Sequence, residues 1–391
     1  MGFVKEAQTL LKQNVREYGM YIALIFIMLT FTITTNGLFM SSRNISNLIN
    51  QTGYIAVLAV GMTLVIVIRH IDLSVGFMAG FLGAVAAIML TQMGISVFIT
   101  IPAILLLGIL VGTFSGFLVA QLDIPSFVTS LAAMLVFRGA ILMATEGTGT
   151  IIVKDKFFNA LGNGFIPDIA DIGDVHLLTL IFGAVAIGLY IWSEARTRNN
   201  KLKYNFEVTS RAIFVIKMVL ISAIIGYITW VLAGYNGLSW TVIIVLIVVA
   251  VYHFVTTKTV MGRHIYAVGG NPEAAKLSGI NVKKITYVVF CSMSMLAALS
   301  GILFTSRLQS ATTTAGTLFE LDAIAAAYVG GVSAAGGVGK ITGSIIGALV
   351  MSSLTSGMNL MGVGISYQYI VRGAVLVAAV VFDVTTRNRR K

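Results

Sequence analysis

The composition and patterning of this chain predict an all-α fold, a polytopic transmembrane helical bundle. Of its 391 residues, 57% are hydrophobic and only 10% are charged, whereas soluble globular proteins are about 25% charged. Mean hydropathy is +0.94, and apolar runs near the ~20 residues that cross a bilayer follow one another along the chain. A soluble chain this apolar could not cover its surface with polar groups, so we expect residues 1–391 to form a single transmembrane domain.

The apolar runs predict about 10–12 spans. One run, 323–337, is short, interrupted by glycine and flanked by acidic residues, which predicts a re-entrant or broken helix there. Such a break at membrane depth is tolerated only where protein or a water-filled cavity surrounds it. In order, the runs are 20–39, 52–68, 74–90, 95–122, 124–144, 176–192, 212–234, 238–255, 285–305, 323–337, 341–361 and 365–383.

Lysine and arginine cluster in four places: the N-terminal segment, the loop 194–211, the stretch 262–284 and the C-terminal tail. The positive-inside rule assigns all four to the cytoplasm, and an even number of runs separates each from the next. Both termini are therefore expected to be cytoplasmic. The loop 145–175 is net acidic and is expected outside, with Glu146, Asp155, Asp168, Asp171 and Asp174 against Lys154 and Lys156. Because the basic residues flank spans, the net charge of +11 does not indicate a nucleic-acid partner.

The stretch 262–284, GRHIYAVGGNPEAAKLSGINVKK, is polar and basic in an otherwise apolar chain. Asn271 is a candidate N-cap, Pro272 suits the first helical position and Gly279 follows the expected helix end. An isolated helix needs about 12–15 residues in water, so one of about two turns has to pack against something. An ordered short helix in a cytoplasmic loop suggests a docking surface, although a plain connector is the alternative.

The chain carries no evident energy source of its own. The stretch SAAGGVGKITG resembles a P-loop but has Ala334 and Ile341 where that motif needs glycine and Ser or Thr. No metal-ligand spacing or catalytic triad is visible, so we do not expect an enzyme or a metal site. Ionisable residues within spans are functional hypotheses by default, although structural pairs and helix caps explain many of them. These are Asp72, Arg138, Lys217, Glu320, Asp322 and Arg372.

Four stretches carry a family resemblance. The segment 262–284 resembles the coupling loop of permeases in bacterial monosaccharide ABC importers, the ribose, xylose, arabinose and galactoside group. AVGMTLVIVIRHIDLSVG (59–76), DIPSFVTSLAAMLVFRGA (123–140) and ELDAIAAAYVGGVSAAGGVGKITGSIIGALV (320–350) agree with it. The added region 194–255 is most similar to xylose-type and multiple-monosaccharide permeases. One departure is Arg69-His70, where the family usually has small residues, and it bears on close backbone packing at that point.

The resemblance implies a permease subunit that translocates pentoses or hexoses across a bacterial inner, or plasma, membrane. An extracytoplasmic sugar-binding protein would deliver the sugar, and a second copy of the permease would complete a homodimer. ABC ATP-binding subunits would dock on the coupling loops. No cofactor is expected on this chain, since ATP and Mg would bind to that partner subunit.

Candidate site residues fall in two groups. The resemblance and the capping pattern assign coupling to the ATPase, within the cytoplasmic loop 256–284, to Arg263, Tyr266, Gly269, Asn271, Glu273, Ala274, Ala275, Lys276 and Gly279. A sugar pathway needs amides, hydroxyls and aromatic faces, and the candidates near spans are Gln51, Ser126, Thr129, Asn359, Tyr367 and Gln368. Any of these can instead bond to a neighbouring helix.

Two other classes of protein remain open from the sequence. An ion-coupled secondary sugar transporter would take up sugar without an ATPase. A structural or receptor protein would transport nothing and would co-purify with no ATPase.

Overall fold

The computed structural model describes residues 15–147, 149–169, 175–206, 208 and 210–388. The N-terminal residues 1–14, Asp171 and Asp174 of the predicted acidic loop, and residues 389–391 of the basic tail lie outside the described residues. The described elements are α1 (Val15–Thr34), a 3-10 turn (Leu38–Met40), α2 (Ser42–Val67), α3 (Val75–Thr91), α4 (Val97–Ala120), α5 (Ser126–Ala144), β1 (Thr150–Ile152), α6 (Lys156–Asn163), α7 (Leu177–Lys203), α8 (Arg211–Ala233), α9 (Trp240–Lys258), α10 (Val260–Gly270), α11 (Pro272–Leu277), α12 (Val282–Leu308), β2 (Ser310–Thr312), α13 (Phe319–Val329), α14 (Ile341–Leu360) and α15 (Ile365–Asn388).

The predicted transmembrane helical bundle is confirmed. Within the described residues, nine helices are long and apolar enough to cross a membrane, and Gly19–Thr34 and Val75–Thr91 are shorter apolar helices. Together with α13 they correspond to the predicted apolar runs. The only β-strands in the described part form the antiparallel pair β1–β2, with Thr150 opposite Thr312, and Phe165 forms an isolated β-bridge with Ser239.

Two helices extend ten or more residues beyond their predicted runs. α2 begins at Ser42, ten residues before the run 52–68, because the Ser41 side chain caps it by accepting a hydrogen bond from the Asn44 N–H. α7 continues to Lys203, so the prediction of a loop from residue 194 was wrong. Arginine and lysine are good helix formers, and the Arg196 guanidinium lies 5.2 Å from the Trp192 ring.

The core is built around α12, which packs against α2, α3 and α4. Glycines make these contacts close. A Cβ added to Gly112 would lie 2.6 Å from the Cα of Cys291, and one added to Gly108 would lie 2.7 Å from the Ser294 carbonyl oxygen. Small residues let membrane helices approach in this way, so these helices form a tightly packed centre.

α13 is the broken helix that the sequence predicts near 323–337. It has 11 residues, or about 16 Å at 1.5 Å per residue, roughly half the thickness of a bilayer core. It ends at Gly330 and Gly331, where φ is +87°, and the irregular stretch 330–340 leads into α14. α13 packs so closely on α14 that a Cβ added to Gly347 would overlap the Ala326 carbonyl oxygen.

The bundle has two distinct ends. α12 spans 27 residues, about 40 Å, with α11 just before it and β2 just after it. We call these the α10 end and the hairpin end. At the hairpin end, the Thr241 hydroxyl donates to the Leu161 carbonyl at 2.9 Å. The predicted coupling stretch and the predicted acidic loop therefore lie at opposite ends.

The carboxylate of Asp168 binds backbone N–H groups at the start of α7, so its contribution to stability should depend on pH. The Asp168 carboxylate accepts hydrogen bonds from the N–H groups of Leu177 (2.7 Å), Leu178 (2.9 Å) and Ile169 (2.8 Å). Partial burial raises the pKa of Asp168, but these backbone donors and the nearby His176 lower it, and the balance lies below the usual value.

We expect Asp168→Asn to lower the melting temperature at pH 7. The folded pKa of Asp168 is depressed, so its stabilisation is complete above the unfolded pKa of about 3.9 and is lost as pH falls through the lower folded value. Melting curves of both proteins in detergent should therefore differ at pH 7 and converge in strong acid. An equal difference at both pH values would contradict this.

Candidate functional site

The segment between α9 and α12 consists of two short helices. α10 (Val260–Gly270) is capped by the Thr259 hydroxyl, which accepts from the Gly262 N–H at 3.2 Å. The Asn271 side chain caps α11 (Pro272–Leu277) by accepting from the N–H groups of Glu273 and Ala274, each at 3.1 Å. The predicted boundaries of α11 are confirmed, and φ is +83° at Gly279 after it. α10 was not predicted.

Gly269 is the point at which α10 meets the rest of the bundle. The Gly337 N–H donates to the Val67 carbonyl at 2.8 Å, joining the stretch 330–340 to the end of α2. A Cβ on Gly269 would overlap that same Val67 oxygen and lie 2.8 Å from the Gly337 nitrogen. Glycine is therefore required there, whereas a Cβ on Gly270 would meet nothing within 4 Å.

Arg69 makes hydrogen bonds to the C-terminal end of α10. Its backbone is left-handed, with φ +66°, and its Nε donates to the Gly269 carbonyl at 2.6 Å. A second guanidinium nitrogen donates to the Gly270 carbonyl. A cation at a helix C-terminus also interacts favourably with the helix dipole. The departure noted at Arg69-His70 thus supplies a direct link to α10, a role that sequence reasoning missed.

Tyr266 makes a further contact between α10 and the stretch 330–340. Its hydroxyl donates to the Gly339 carbonyl at 2.6 Å. Burial raises the pKa of this hydroxyl, so it remains a donor at neutral pH. We call the set Val67, Arg69, Tyr266, Gly269 and Gly337 the α10 junction. It connects α10 to the end of α2 and to the stretch after the broken helix α13.

The remaining coupling candidates divide into an outward face and a buried contact. Arg263, Glu273, Ala274 and Lys276 are exposed, whereas Ala275 is 4% exposed and packs into the core. The outward face also includes Leu277, which is 90% exposed. Sequence reasoning missed Leu277, although an apolar residue in the last turn of a polar two-turn helix is a signal that could have found it.

The sugar-pathway candidates lie in three places. The Gln368 amide donates to the Asn359 side-chain oxygen at 2.8 Å, and Tyr367 beside it is 67% exposed. Ser126 and Thr129 lie on the first turns of α5, and the Ser126 hydroxyl lies 3.5 Å from the Ile71 nitrogen. Gln51 is half-buried on α2. The structure therefore groups Asn359 with Tyr367 and Gln368, and Ser126 with Thr129, whereas Gln51 lies apart from both groups.

Two of the predicted intramembrane charges, Asp72 and Arg138, make hydrogen bonds to neighbouring protein groups. The Asp72 carboxylate is buried and accepts from the Ser74 N–H at 2.9 Å and from its hydroxyl at 2.6 Å. The Arg138 guanidinium donates to the Thr313 carbonyl at 2.8 Å. These bonds account for Arg138 and for one oxygen of Asp72, whose other carboxylate oxygen is buried without a hydrogen-bond partner among the described residues.

Three of the other four charges lie near the start of α13. Glu320 and Asp322 lie in the first turn of α13, where carboxylates favour the positive end of the helix dipole. Glu320 is 5% exposed. Asp322 pairs with Arg372 of α15, with 3.2 Å between the guanidinium nitrogen and the carboxylate oxygen. Lys217, in contrast, pairs with Glu194 at 2.8 Å near a helix end.

Comparison with known proteins gives concordant matches over nearly the whole chain. A family model described as "Branched-chain amino acid transport system / permease component" matches residues 44–380. The xylose transport system permease protein XylH of Escherichia coli (strain K12) is 40% identical over 376 residues, covering 96% of this chain and 93% of that protein. XylH of Haemophilus influenzae is 38% identical over 378 residues, 97% and 98% of the two chains. The ribose import permease protein RbsC of Escherichia coli (strain K12) is 35% identical over 360 residues, 92% and 91%. No solved structure matches the chain.

Proposed function

This chain belongs to the family of branched-chain amino acid transport system permease components, and from that premise we propose that it is the permease subunit of an ATP-driven importer of monosaccharides. The relatives named for xylose and ribose transport favour a pentose or a related hexose. The chain itself is a transport subunit without catalytic residues, and it is a multi-pass protein of the bacterial plasma membrane.

The proposed partners follow from the same premise. An ABC ATP-binding subunit, which holds ATP and Mg, docks on α10 and α11, and an extracytoplasmic sugar-binding protein delivers sugar at the hairpin end. A second copy completes a homodimer. The cluster of lysine and arginine at the α10 end supports a cytoplasmic location for that end and for both termini.

The α10 junction is the observation that carries this proposal. α11 presents an exposed face, and α10 behind it is bound to the end of α2 and to the stretch 330–340. A displacement of α11 by an ATPase would therefore reach two membrane segments through hydrogen bonds and close backbone contact. Interfaces and packed cores transmit such shifts because they have discrete arrangements rather than deforming continuously.

Leu277→Asp tests the docking surface. Truncating or charging an exposed apolar anchor of an interface costs about 1.4–3 kcal/mol, or roughly 10- to 100-fold in affinity. We expect that loss in binding of the ATP-binding subunit to the purified permease, together with a matching loss of sugar-stimulated ATPase activity. The charge is placed on a fully outward side chain, so the melting temperature of the permease should not change.

Ile152→Asp is the matched control, since Ile152 is 64% exposed but lies on β1 at the hairpin end. It should leave affinity for the ATP-binding subunit intact. Unchanged affinity in Leu277→Asp would remove α11 from the interface. Sugar uptake by the permease alone, driven by an ion gradient in vesicles, would instead establish a secondary transporter.

A further inference from the structure

A cleft of about 370 Å³ opens on the side of the bundle between α13, α14 and α15. Asp322 and Arg372 lie on its wall, and their side chains are 17% and 21% exposed. The Arg372 guanidinium also donates to the Thr355 hydroxyl at 2.8 Å. Leu321 and Tyr369 frame the opening and are 42% and 47% exposed. The cleft therefore combines a charged pair with apolar and aromatic sides.

The charged pair on this cleft disfavours a surface that faces lipid. Arg372 lies inside the candidate span Ile365–Thr385, and a charge at the centre of a span costs at least about 2.5 kcal/mol on insertion scales. Asp322 lies at the start of the half-length helix α13, and a backbone break is tolerated at depth only beside protein or water. Both observations favour a cleft that faces water or a second copy of the chain over one that faces lipid.

The chemistry of the cleft suits a polyhydroxylated ring. A guanidinium donates and a carboxylate accepts, so together they can bond to neighbouring hydroxyl groups of one sugar. Tyr369 offers an aromatic side, and the volume falls within the roughly 300–1,000 Å³ of small-molecule sites. A partly exposed charged pair beside an exposed aromatic ring is what a transient sugar contact requires.

We propose that the cleft around Asp322 and Arg372 contacts the monosaccharide in transit and forms one wall of its path across the membrane. The opposite wall comes from the second copy of the chain. This inference rests on the proposed function and adds to it a place of sugar contact. It replaces all six earlier pathway candidates as the first residues to test, since none of them lines the cleft: Gln51, Ser126, Thr129, Asn359, Tyr367 and Gln368.

Single cysteines test whether water and sugar reach the cleft. Cys291 is the only cysteine of the chain, so Cys291→Ser provides the background for Tyr369→Cys. Ile370→Cys is the control, because Ile370 is its neighbour on α15 and is 67% exposed but is not part of the cleft. The probe is a charged, membrane-impermeant methanethiosulfonate, and the sugars are D-xylose and D-ribose with the complete importer and ATP.

We expect Tyr369→Cys to react about tenfold faster than Ile370→Cys, since only a water-exposed thiol forms the reactive thiolate readily. Sugar turnover should slow the reaction at Tyr369→Cys alone. Equal rates at both positions, or a rate at Tyr369→Cys that neither sugar changes, would overturn the inference. The proposed function is tested separately, by ATP-driven uptake in the unsubstituted importer.

A pair of neutral substitutions separates sugar contact from a purely structural ion pair. Removing one partner leaves an unpaired charge, so Arg372→Gln alone is expected to destabilise the fold. Asp322→Asn together with Arg372→Gln removes both charges, and we expect it to restore the melting temperature while uptake stays about tenfold or more below normal. If the double substitution also restored uptake, the pair would serve only to hold α13 against α15.

Discussion

Replacing Gly269 with alanine is expected to lower ATP-driven sugar uptake by about tenfold or more while the protein remains in the membrane. The added Cβ would overlap the Val67 carbonyl oxygen and lie 2.8 Å from the Gly337 nitrogen. Both are backbone atoms, so neither can move aside by a change of rotamer. Overpacking of this kind costs about 1–3 kcal/mol, and here it acts where α10 contacts the end of α2.

Gly270→Ala is the matched control, because a Cβ there would meet nothing within 4 Å. Alanine is also the better helix former by about 1 kcal/mol, so this variant should be as stable as the parent or more so. Uptake and sugar-stimulated ATPase activity would be measured in proteoliposomes containing all subunits. Full uptake in Gly269→Ala would show that the α10 junction does not transmit motion.

Arg69→Gly is expected to uncouple ATP hydrolysis from uptake. The guanidinium makes two hydrogen bonds to the last carbonyls of α10, and a bond to a charged group is worth about 1.5–3 kcal/mol. Arg69 is exposed, so we expect the lower part of that range. Glycine suits the left-handed backbone at this position better than arginine does, so the substitution removes the side chain without straining the chain.

Arg69→Lys separates charge from geometry. Lysine keeps the positive charge but lacks the planar fork that reaches two carbonyls at once. We expect uptake per ATP hydrolysed to fall in the order parent, Arg69→Lys, Arg69→Gly, with the ATP-binding subunit still bound in all three. Loss of that subunit in Arg69→Gly would instead show that Arg69 shapes the docking surface.

The segment around α11 shows what local sequence can predict. Asn271, Pro272 and Gly279 determine a cap, a first turn and a stop through bonds within a few residues, and the predicted boundaries were confirmed. The same reasoning could not predict the burial of Gly269 and Ala275. The partners of Gly269 are distant in the chain, since it meets Val67 and Gly337.

The membrane spans likewise include features that the sequence predicts and features that it cannot predict. Apolar length predicted each span and also the break at 323–337, because the bilayer imposes a length that sequence must match. It could not predict that the basic residues after residue 194 continue α7, since charged residues outside the bilayer carry no length signal. Nor could it show that Arg69 bonds to α10, because an arginine in a short connection suggests only solvent contact.

The short length of α13 has a consequence for how the protein is made. A helix of 11 residues falls far below the ~20 residues recognised as a span during membrane insertion. Its ends are held by close contacts to α3 and α14, at Gly76 and Gly343. We expect α13 to enter the bilayer only after those helices have inserted, so chains truncated before α14 should leave α13 open to protease.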